Sequence, residues 1–150
     1  MRLSTGTLLI LSFVSTVLCM AVTYDGGYDS ASRPMTAVAC GGGIHGLDTR
    51  YGWKKQSDIP TFPFIGGGPL IKAWNSPSCG ECMAVTFNGT TVHMIVIDHA
   101  APGLDMGKHA LDMLTHGEAS SLGHVEATVE SVPVSNCGIQ DPKREIHFTA

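Results

Sequence analysis

Residues 82–99 read CMAVTFNGTTVHMIVIDH, and this stretch decides the fold class. Asn88-Gly89 is the strongest short signal for a tight turn, because both residue types tolerate the positive φ that a two-residue hairpin loop needs. The flanking residues 83–87 and 90–97 are predicted to form the two strands of this β-hairpin. Residues 94–97 are apolar at every position, which is typical of a strand covered on both faces.

Outward from the hairpin, the pattern remains mostly β. Residues 125–130 alternate apolar with polar side chains, which predicts a half-buried strand. Shorter strand candidates are residues 22–24, 36–39 and 70–74. Many short strands separated by Gly and Pro predict a closed or nearly closed β-barrel.

Helices and long loops are fewer. Residues 52–69 contain a Gly-Gly-Gly run and several prolines, so a loop is predicted there. Residues 110–115 have helical spacing of leucines and are followed by Gly117, a suitable helix stop. One further helical turn is predicted at residues 118–122.

Length and charge limit the class of protein. A chain of 150 residues is expected to form one domain with a real core. Thirteen Asp and Glu outnumber nine Lys and Arg, and no basic cluster is present. Because phosphate binding needs clustered basic side chains, a nucleic-acid partner is excluded.

The N-terminus has the pattern of a secretory signal. Arg2 precedes an apolar run at residues 8–18, which is shorter than the roughly 20 residues of a membrane span. We therefore expect a signal peptide over residues 1–21, cleaved near 19–21, and a secreted protein. The domain is expected to cover residues 22–138, followed by a frayed tail at 139–150.

The cysteine count supports export. Cys19 falls within the predicted signal peptide, and the remaining four cysteines are typical of two disulfides in an oxidising compartment. A redox pair or half a zinc site at Cys79-Gly-Glu-Cys82 is less favoured, since no second close ligand pair accompanies it. Spacing alone leaves three pairings open. The four are Cys40, Cys79, Cys82 and Cys137.

Asp98 is the most informative acidic residue. It directly follows the apolar strand, so its carboxylate is expected at the barrel rim and partly desolvated. Desolvation favours the protonated form, as a general acid of a glycosidase requires. The alternative is a structural role, in which Asp98 only bonds to the turn that follows it.

Two turns supply further candidates for a sugar-binding site. Asp25 and Asp29 are possible second carboxylates, although turn aspartates more often cap their own backbone. Tyr24 and Tyr28 could stack on sugar rings or donate hydrogen bonds, or simply pack. Polar side chains also follow Trp74 in a turn that could bind a sugar, and these are Asn75 and Ser76.

Other chemistry has weaker support. His109, Asp112 and His116 would share one face of an unbroken helix, but no His-Glu-x-x-His pattern is present and no metal or other cofactor is predicted. A Gly-x-Ser-x-Gly nucleophile elbow is also missing. Asn88-Gly89-Thr90 is a possible N-glycosylation site, although a tight turn could hide the acceptor.

Seven short blocks occur in order across residues 22–138 and together carry a family resemblance. They are Tyr24-Asp25-x-x-Tyr28-Asp29, Thr36-Ala37-Val38-Ala39-Cys40, Arg50-Tyr51-Gly52-Trp53, Ile59-Pro60-x-Phe62-Pro63, Trp74-Asn75-Ser76-Pro77-Ser78-Cys79-Gly80-x-Cys82, Ile97-Asp98-His99-Ala100 and Val134-Ser135-Asn136-Cys137-Gly138. With these blocks the chain resembles the cerato-platanin family.

The resemblance implies a small secreted fungal protein with a six-stranded double-ψ β-barrel related to the expansin barrel. It implies disulfides Cys40–Cys79 and Cys82–Cys137, and it matches Asp98 to the acid shared with expansins. It also implies binding of chitin fragments and N-acetylglucosamine oligomers in a shallow groove, elicitation of plant defence and, in some members, non-hydrolytic loosening of cellulose. The chain departs from the family in its C-terminal tail and at Met83, where some members have Trp.

Three functions remain as hypotheses. The first is a non-catalytic carbohydrate-binding, wall-loosening elicitor recognised by a plant surface receptor, with Asp98, Tyr28, Asp25, Asn75 and Ser76 lining the groove. The second is a glycoside hydrolase that uses Asp98 as its acid. The third is a structural wall or surface protein, monomeric or self-assembling at interfaces.

Overall fold

Six strands close into a mixed β-barrel in a computed structural model that describes residues 17–140. The barrel order is β1-β5-β2-β4-β3-β6. The strands are β1 (Val17–Tyr24), β2 (Ile65–Gly68), β3 (Cys82–Phe87), β4 (Thr90–His99), β5 (Leu104–Met106) and β6 (Val125–Val132). The α-helices are α1 (Leu47–Tyr51), α2 (Lys108–Thr115) and α3 (Ala119–Leu122), and short 3-10 helices span Gly26–Asp29, Met35–Ala37, Gln56–Asp58 and Val134–Cys137.

The predicted hairpin is confirmed. Strands β3 and β4 pair antiparallel, with Phe87 opposite Thr90 across the turn. Asn88 and Gly89 both have positive φ, 46° and 81°, as the two central residues of a type I′ hairpin turn require. The side chains at residues 94–97 are fully buried, so both faces of this part of β4 are covered, and β4 pairs with β3 on one edge and with β2 on the other.

The prediction of a loop over residues 52–69 is wrong at its C-terminal end, where the glycines form β2. A Cβ atom on Gly66 would lie 2.0 Å from the carbonyl oxygen of Asp105 and 2.6 Å from Cε of Met94. The run of glycines therefore allows close approach of neighbouring strands, and does not mark a flexible segment. This approach places β2 between β4 and β5 in the barrel.

Two of the shorter strand predictions are also wrong. Residues 36–39 begin in the 3-10 helix Met35–Ala37, where local hydrogen bonds replace strand pairing. Residues 70–74 form turns, and the amide of Ile71 donates to the carbonyl of Gly68. Val38 and Ile71 are buried by loop packing, whereas Leu70 and Trp74 are exposed, so an apolar composition alone gave these segments the appearance of strands.

The helical predictions are confirmed, with small shifts in bounds. Residues 110–115 lie within α2, which ends at Thr115. The next residue, His116, is in the left-handed region, at φ 56°, just before Gly117. The predicted turn at 118–122 contains α3. Strand β5 and helix α1 were not predicted, since three and five residues are too few to establish a period.

Both termini extend beyond the described residues. Strand β1 includes residues 17–21, the last part of the predicted signal peptide, and Cys19 is exposed and outside both disulfides. Cleavage after Ala21 would leave residues 22–24, which pair with β5. At the other end Ile139 is buried, and the rest of the predicted frayed tail after Gln140 lies outside the described residues. Within residues 17–140 no helix is long and apolar enough to span a membrane.

Two disulfides fix the loops to the barrel. Cys40 is bonded to Cys79 and Cys82 to Cys137, which is the pairing that the resemblance implied. The first bond joins two loops that flank the end of β4, since the Cys40 amide donates to the carbonyl of Ile97. The end of β4, which includes Val96 and Asp98, is thereby held against these loops.

Candidate functional site

A row of residues crosses the outer surface of four neighbouring strands. Thr23 on β1 is paired with Asp105 on β5, Asp105 with Gly67 on β2, and Gly67 with Asp98 on β4. Paired residues of adjacent strands project from the same face of a sheet, and at about 4.8 Å per strand the row is roughly 14 Å long. We call these four residues the polar row.

The polar row faces solvent rather than the barrel interior. Leu104 and Met106, the neighbours of Asp105 on β5, are buried in the core. Because side chains alternate along a strand, Asp105 itself points outward. Thr23 and Asp98 are likewise only partly buried. The row therefore presents two carboxylates and a hydroxyl on an open surface.

Asp98 is held by three donors. Its Oδ1 accepts hydrogen bonds from the amides of Ala39, at 3.0 Å, and His99, at 2.9 Å. Its Oδ2 lies 3.4 Å from the hydroxyl of Tyr28. Asp98 therefore does organise the local backbone, as the structural alternative proposed, while remaining partly exposed at the end of β4.

Tyr28 reaches Asp98 across the glycine of the polar row. A Cβ atom at Gly67 would lie 2.8 Å from the Tyr28 hydroxyl oxygen, so this glycine leaves the space that the hydroxyl occupies. The Tyr28 ring is buried, and the guanidinium of Arg33 lies 5.5 Å from its centroid. Burial, and next the charge of Asp98, raise the pKa of the Tyr28 hydroxyl, which therefore stays protonated and donates. The hydroxyl, not the ring face, is the part of Tyr28 directed at the site.

Gln56 positions the loop that carries Tyr28. Its side chain is fully buried, and Nε2 donates to the carbonyls of Gly27, at 2.9 Å, and Ser30, at 2.8 Å. Sequence reasoning missed Gln56, because a single glutamine in a loop gives no local signal of burial.

Asp105 and Thr23 were also missed by sequence reasoning. The Thr23 hydroxyl donates to Oδ1 of Asp105. Burial, followed by the nearby charge of Asp25, raises the pKa of the Asp105 carboxyl. The pairing of β1 with β5 joins these residues across 82 positions of sequence, so only Thr23's position beside the Tyr24-Asp25 motif could have drawn attention to the pair.

The turn aspartates serve as backbone caps. Asp25 is exposed and its Oδ1 accepts from the amide of Gly27 at 2.8 Å. Asp29 accepts from the amides of Lys108, at 2.7 Å, and His109, at 3.1 Å, at the start of α2. Asp25 remains close enough to influence Asp105, whereas both Asp29 oxygens are used at the start of the helix.

The remaining predicted site residues lie at the edges. Asn75 is in the left-handed region, at φ 60°, and its Oδ1 accepts from the His45 amide at 2.8 Å. Ser76 is buried. Tyr24 is partly buried, with the ammonium group of Lys108 6.0 Å from its ring centroid. Asp98 and Tyr28 thus meet directly, while Asn75 and Ser76 shape an adjoining loop.

The histidine face considered for metal binding is not formed, because α2 ends before His116. Asp112 instead accepts from the ammonium of Lys108 at 2.6 Å, and that hydrogen bond lowers the pKa of the carboxyl. No group of three or more His, Cys, Asp or Glu side chains in the described part of the chain could hold a metal ion. Asn88 is exposed at the hairpin tip.

Replacing Asp105 by Asn is expected to stabilise the protein at neutral pH. The pKa of this carboxyl in the folded protein lies above its ordinary value of 3.8, so the folded state favours the protonated form. That stabilisation is present below pH 3.8 and is lost as the pH rises through the folded-state pKa. Solvent screening keeps the gain at pH 7 below about 1 kcal/mol.

Thermal unfolding from pH 3 to pH 7 tests the substitution. The Asp105→Asn variant should be more stable than the wild type at pH 7, and the difference should shrink towards zero below pH 4. Glu126→Gln on β6 serves as an exposed control. A variant that is less stable at pH 7 would show that the Thr23 hydrogen bond needs a carboxylate.

The fold and the polar row define a class of protein, a disulfide-framed six-stranded β-barrel with an open polar surface across four strands. A cerato-platanin family profile matches residues 20–139. The chain therefore belongs to the cerato-platanin family, and its barrel is the double-ψ type that the resemblance implied.

Relatives cover nearly all of the domain. Allergen Asp f 15 of Aspergillus fumigatus is 37% identical over 150 residues, covering 91% of this chain and 97% of that protein. The crystal structure of cerato-platanin 2 from M. perniciosa superposes with a TM-score of 0.75 at 37% identity, over 81% of this chain and 99% of that one. The solution structure of the fungal elicitor cerato-platanin has a TM-score of 0.70 at 34% identity, over 78% and 95% of the two chains.

Proposed function

We propose that this protein is a secreted, non-catalytic carbohydrate-binding protein that binds chitin fragments and N-acetylglucosamine oligomers along the polar row. The observation that carries the proposal is the register of Thr23, Asp105, Gly67 and Asp98 across four strands. A polysaccharide presents hydroxyl and amide donors at regular intervals along its chain. A line of acceptors on an open surface suits such a ligand better than a deep pocket does.

Three members of the row have defined parts in binding. Asp98 accepts hydrogen bonds from sugar hydroxyl or amide groups through the part of its carboxylate that stays exposed. Asp105 adds a second acceptor, and Gly67 leaves the room between them for the Tyr28 hydroxyl that reaches Asp98. Hydrogen bonds to charged groups contribute about 1.5–3 kcal/mol each, so two carboxylates account for specific but modest affinity.

The biological role follows from the same chemistry. Binding along a single polymer chain competes with hydrogen bonds between chains, so wall loosening without hydrolysis is a natural consequence. Cellulose is the second ligand that this proposal includes. Two disulfides suit an oxidising, extracellular location, including association with the cell wall. The family relationship to a fungal elicitor supports recognition by a plant surface receptor.

Replacing Asp98 by Asn is expected to weaken oligomer binding about 10- to 100-fold, since a charged acceptor becomes neutral. Titration with N-acetylglucosamine oligomers, followed by NMR shifts, measures the affinity. Glu126→Gln, on the exposed face of β6, provides a matched control and should bind like the wild type. If millimolar oligomer causes no shifts near Asp98 in the wild type, the proposed function is wrong.

A glycoside hydrolase is the second candidate, favoured by one observation. Asp98 and Asp105 flank Gly67, so their Cα atoms are two strand spacings apart, roughly 10 Å. Inverting glycosidases hold their carboxyl groups about 6.5–9.5 Å apart. The sequence predicted Asp98 as the acid. Because burial raises the pKa of Asp105, we instead propose Asp105 as the acid and Asp98 as the base.

Prolonged incubation with chito- and cello-oligosaccharides distinguishes the two candidates. Hydrolysis would release new reducing ends that disappear in Asp98→Ala and Asp105→Ala, with Glu126→Gln as the active control. Binding to intact substrate without new reducing ends supports the non-catalytic proposal.

A further inference from the structure

Trp74 is an unusually exposed aromatic side chain. Its exposed fraction is 63%, whereas Trp53 is half-buried and stacks on Tyr51 with ring centroids 4.4 Å apart. One edge of the Trp74 indole packs against Gly42, where an added Cβ would lie 3.1 Å from Nε1 and 3.3 Å from Cζ2. The ring is therefore supported by backbone on one side and open to solvent elsewhere.

The loop that carries Trp74 is fixed in place. The next residue, Asn75, accepts the His45 amide through Oδ1 at 2.8 Å. A Cβ atom at Gly43 would lie 2.3 Å from Cγ of Asn75, so this side chain is tightly enclosed. The disulfide between Cys40 and Cys79 bonds the same two loops to each other. Trp74 is thus presented on a rigid support, which reduces the entropy lost on binding.

This support continues the line of the polar row. The Asn75 amide donates to the carbonyl of Ala39 at 3.1 Å, and the Ala39 amide donates to Asp98 at 3.0 Å. Two hydrogen bonds and one intervening residue therefore separate Asp98 from the backbone of Asn75, a distance of at most about 10 Å. The Ala39 amide binds Oδ1 of Asp98, whereas the Tyr28 hydroxyl, which lies over Gly67 on the side of Asp105, binds Oδ2. We therefore place Asn75, and Trp74 immediately before it, on the side of Asp98 opposite to Asp105.

We propose that Trp74 is a stacking platform for an additional sugar unit of the chain bound along the polar row. Pyranose rings have an apolar C–H face that packs on indole, while their hydroxyls remain free for polar neighbours. A disaccharide held by both Asp98 and Asp105, roughly 10 Å apart, ends at Asp98 and does not extend to the ring, so Trp74 contributes only to the binding of longer oligomers. This inference rests on the proposed function and adds a length preference to it.

Calorimetric titration with N-acetylglucosamine oligomers of two and six units tests the platform. Trp74→Ala is expected to weaken hexamer binding about tenfold and to leave disaccharide binding unchanged. Trp74→Phe retains an aromatic face and should recover most of the hexamer affinity. Ile44→Ala, an exposed apolar residue close by, is the matched control and should bind like the wild type.

Tryptophan fluorescence gives an independent readout. In a Trp53→Phe background Trp74 is the single tryptophan, because the chain has two. Hexamer should then change the emission, and disaccharide should leave it unchanged.

Several outcomes would overturn the platform. They are equal hexamer affinity in Trp74→Ala and wild type, an equal loss for both lengths, and a loss of self-association at interfaces with unchanged hexamer affinity. If the wild type binds no oligomer of either length, the proposed function fails together with the platform. If the wild type binds and Trp74→Ala binds equally well, only the platform fails.

Discussion

Replacing Cys40 and Cys79 together by alanine is expected to lower the free energy of unfolding by about 4 kcal/mol. The bond closes a segment of 39 residues, and loss of this crosslink gives the unfolded chain more conformational freedom. Domains of this size are commonly only about 5–15 kcal/mol stable, so the change removes a large share of the total. Urea unfolding under non-reducing conditions measures it.

The same substitution should also affect ligand binding. Cys40 directly follows Ala39, whose amide bonds to Asp98, and Cys79 lies in the loop after Trp74. Without the crosslink these loops can separate, so oligomer affinity should fall even at temperatures where the barrel remains folded.

Cys19→Ser provides the control for this prediction in the chain that retains β1 in full. Cys19 is exposed and outside both disulfides, so its loss should change the unfolding free energy by less than about 0.5 kcal/mol. A decrease below 1 kcal/mol for the double variant would show that barrel packing alone holds the two loops in place.

Local patterns in the sequence were sufficient to predict part of this fold. The hairpin of β3 and β4 depends on two turn residues with positive φ and on a continuous apolar strand, all within 18 residues. Strand β2 could not be predicted in this way, because its glycines are required by contacts with Asp105 and Met94 in other strands. A glycine run has the same local signal whether it is a loop or a tightly enclosed strand.

The residues of the candidate site also fall into two groups, those that local sequence predicts and those that it does not. Asp98 was predicted because it ends an apolar strand, which is visible in a few residues of sequence. Asp105 and Thr23 were not, because a parallel pairing between distant strands creates their contact. The disulfide pairing likewise came from the resemblance to the family, since spacing alone leaves three arrangements possible.

Gly66→Ala is expected to be the most damaging single substitution in the barrel, with a loss of about 4 kcal/mol or failure to fold. The new Cβ would lie 2.0 Å from the carbonyl oxygen of Asp105 and 2.9 Å from Cα of Met106, and neither backbone atom can rotate away. Overpacking usually costs about 1–3 kcal/mol, and contact with backbone rather than with a side chain places this substitution above that range. Strand β2 is the link between β4 and β5, so displacement opens the barrel.

Gly26→Ala separates this clash from the general cost of adding a methyl group. Among residues 17–140, no atom outside the adjacent residues lies within 4 Å of a Cβ at Gly26, and the φ of Gly26 is outside the positive region. The variant should therefore be as stable as the wild type within about 0.5 kcal/mol. Yield of folded protein and resistance to proteolysis compare the two variants even if Gly66→Ala does not fold well enough for urea unfolding. Equal yield and protection would mean that β2 can move away from β5 at little cost. In that case Gly67, on the same strand, would not hold a fixed distance between Asp98 and Asp105, and the geometry of the polar row would depend on the loops that the Cys40–Cys79 disulfide holds.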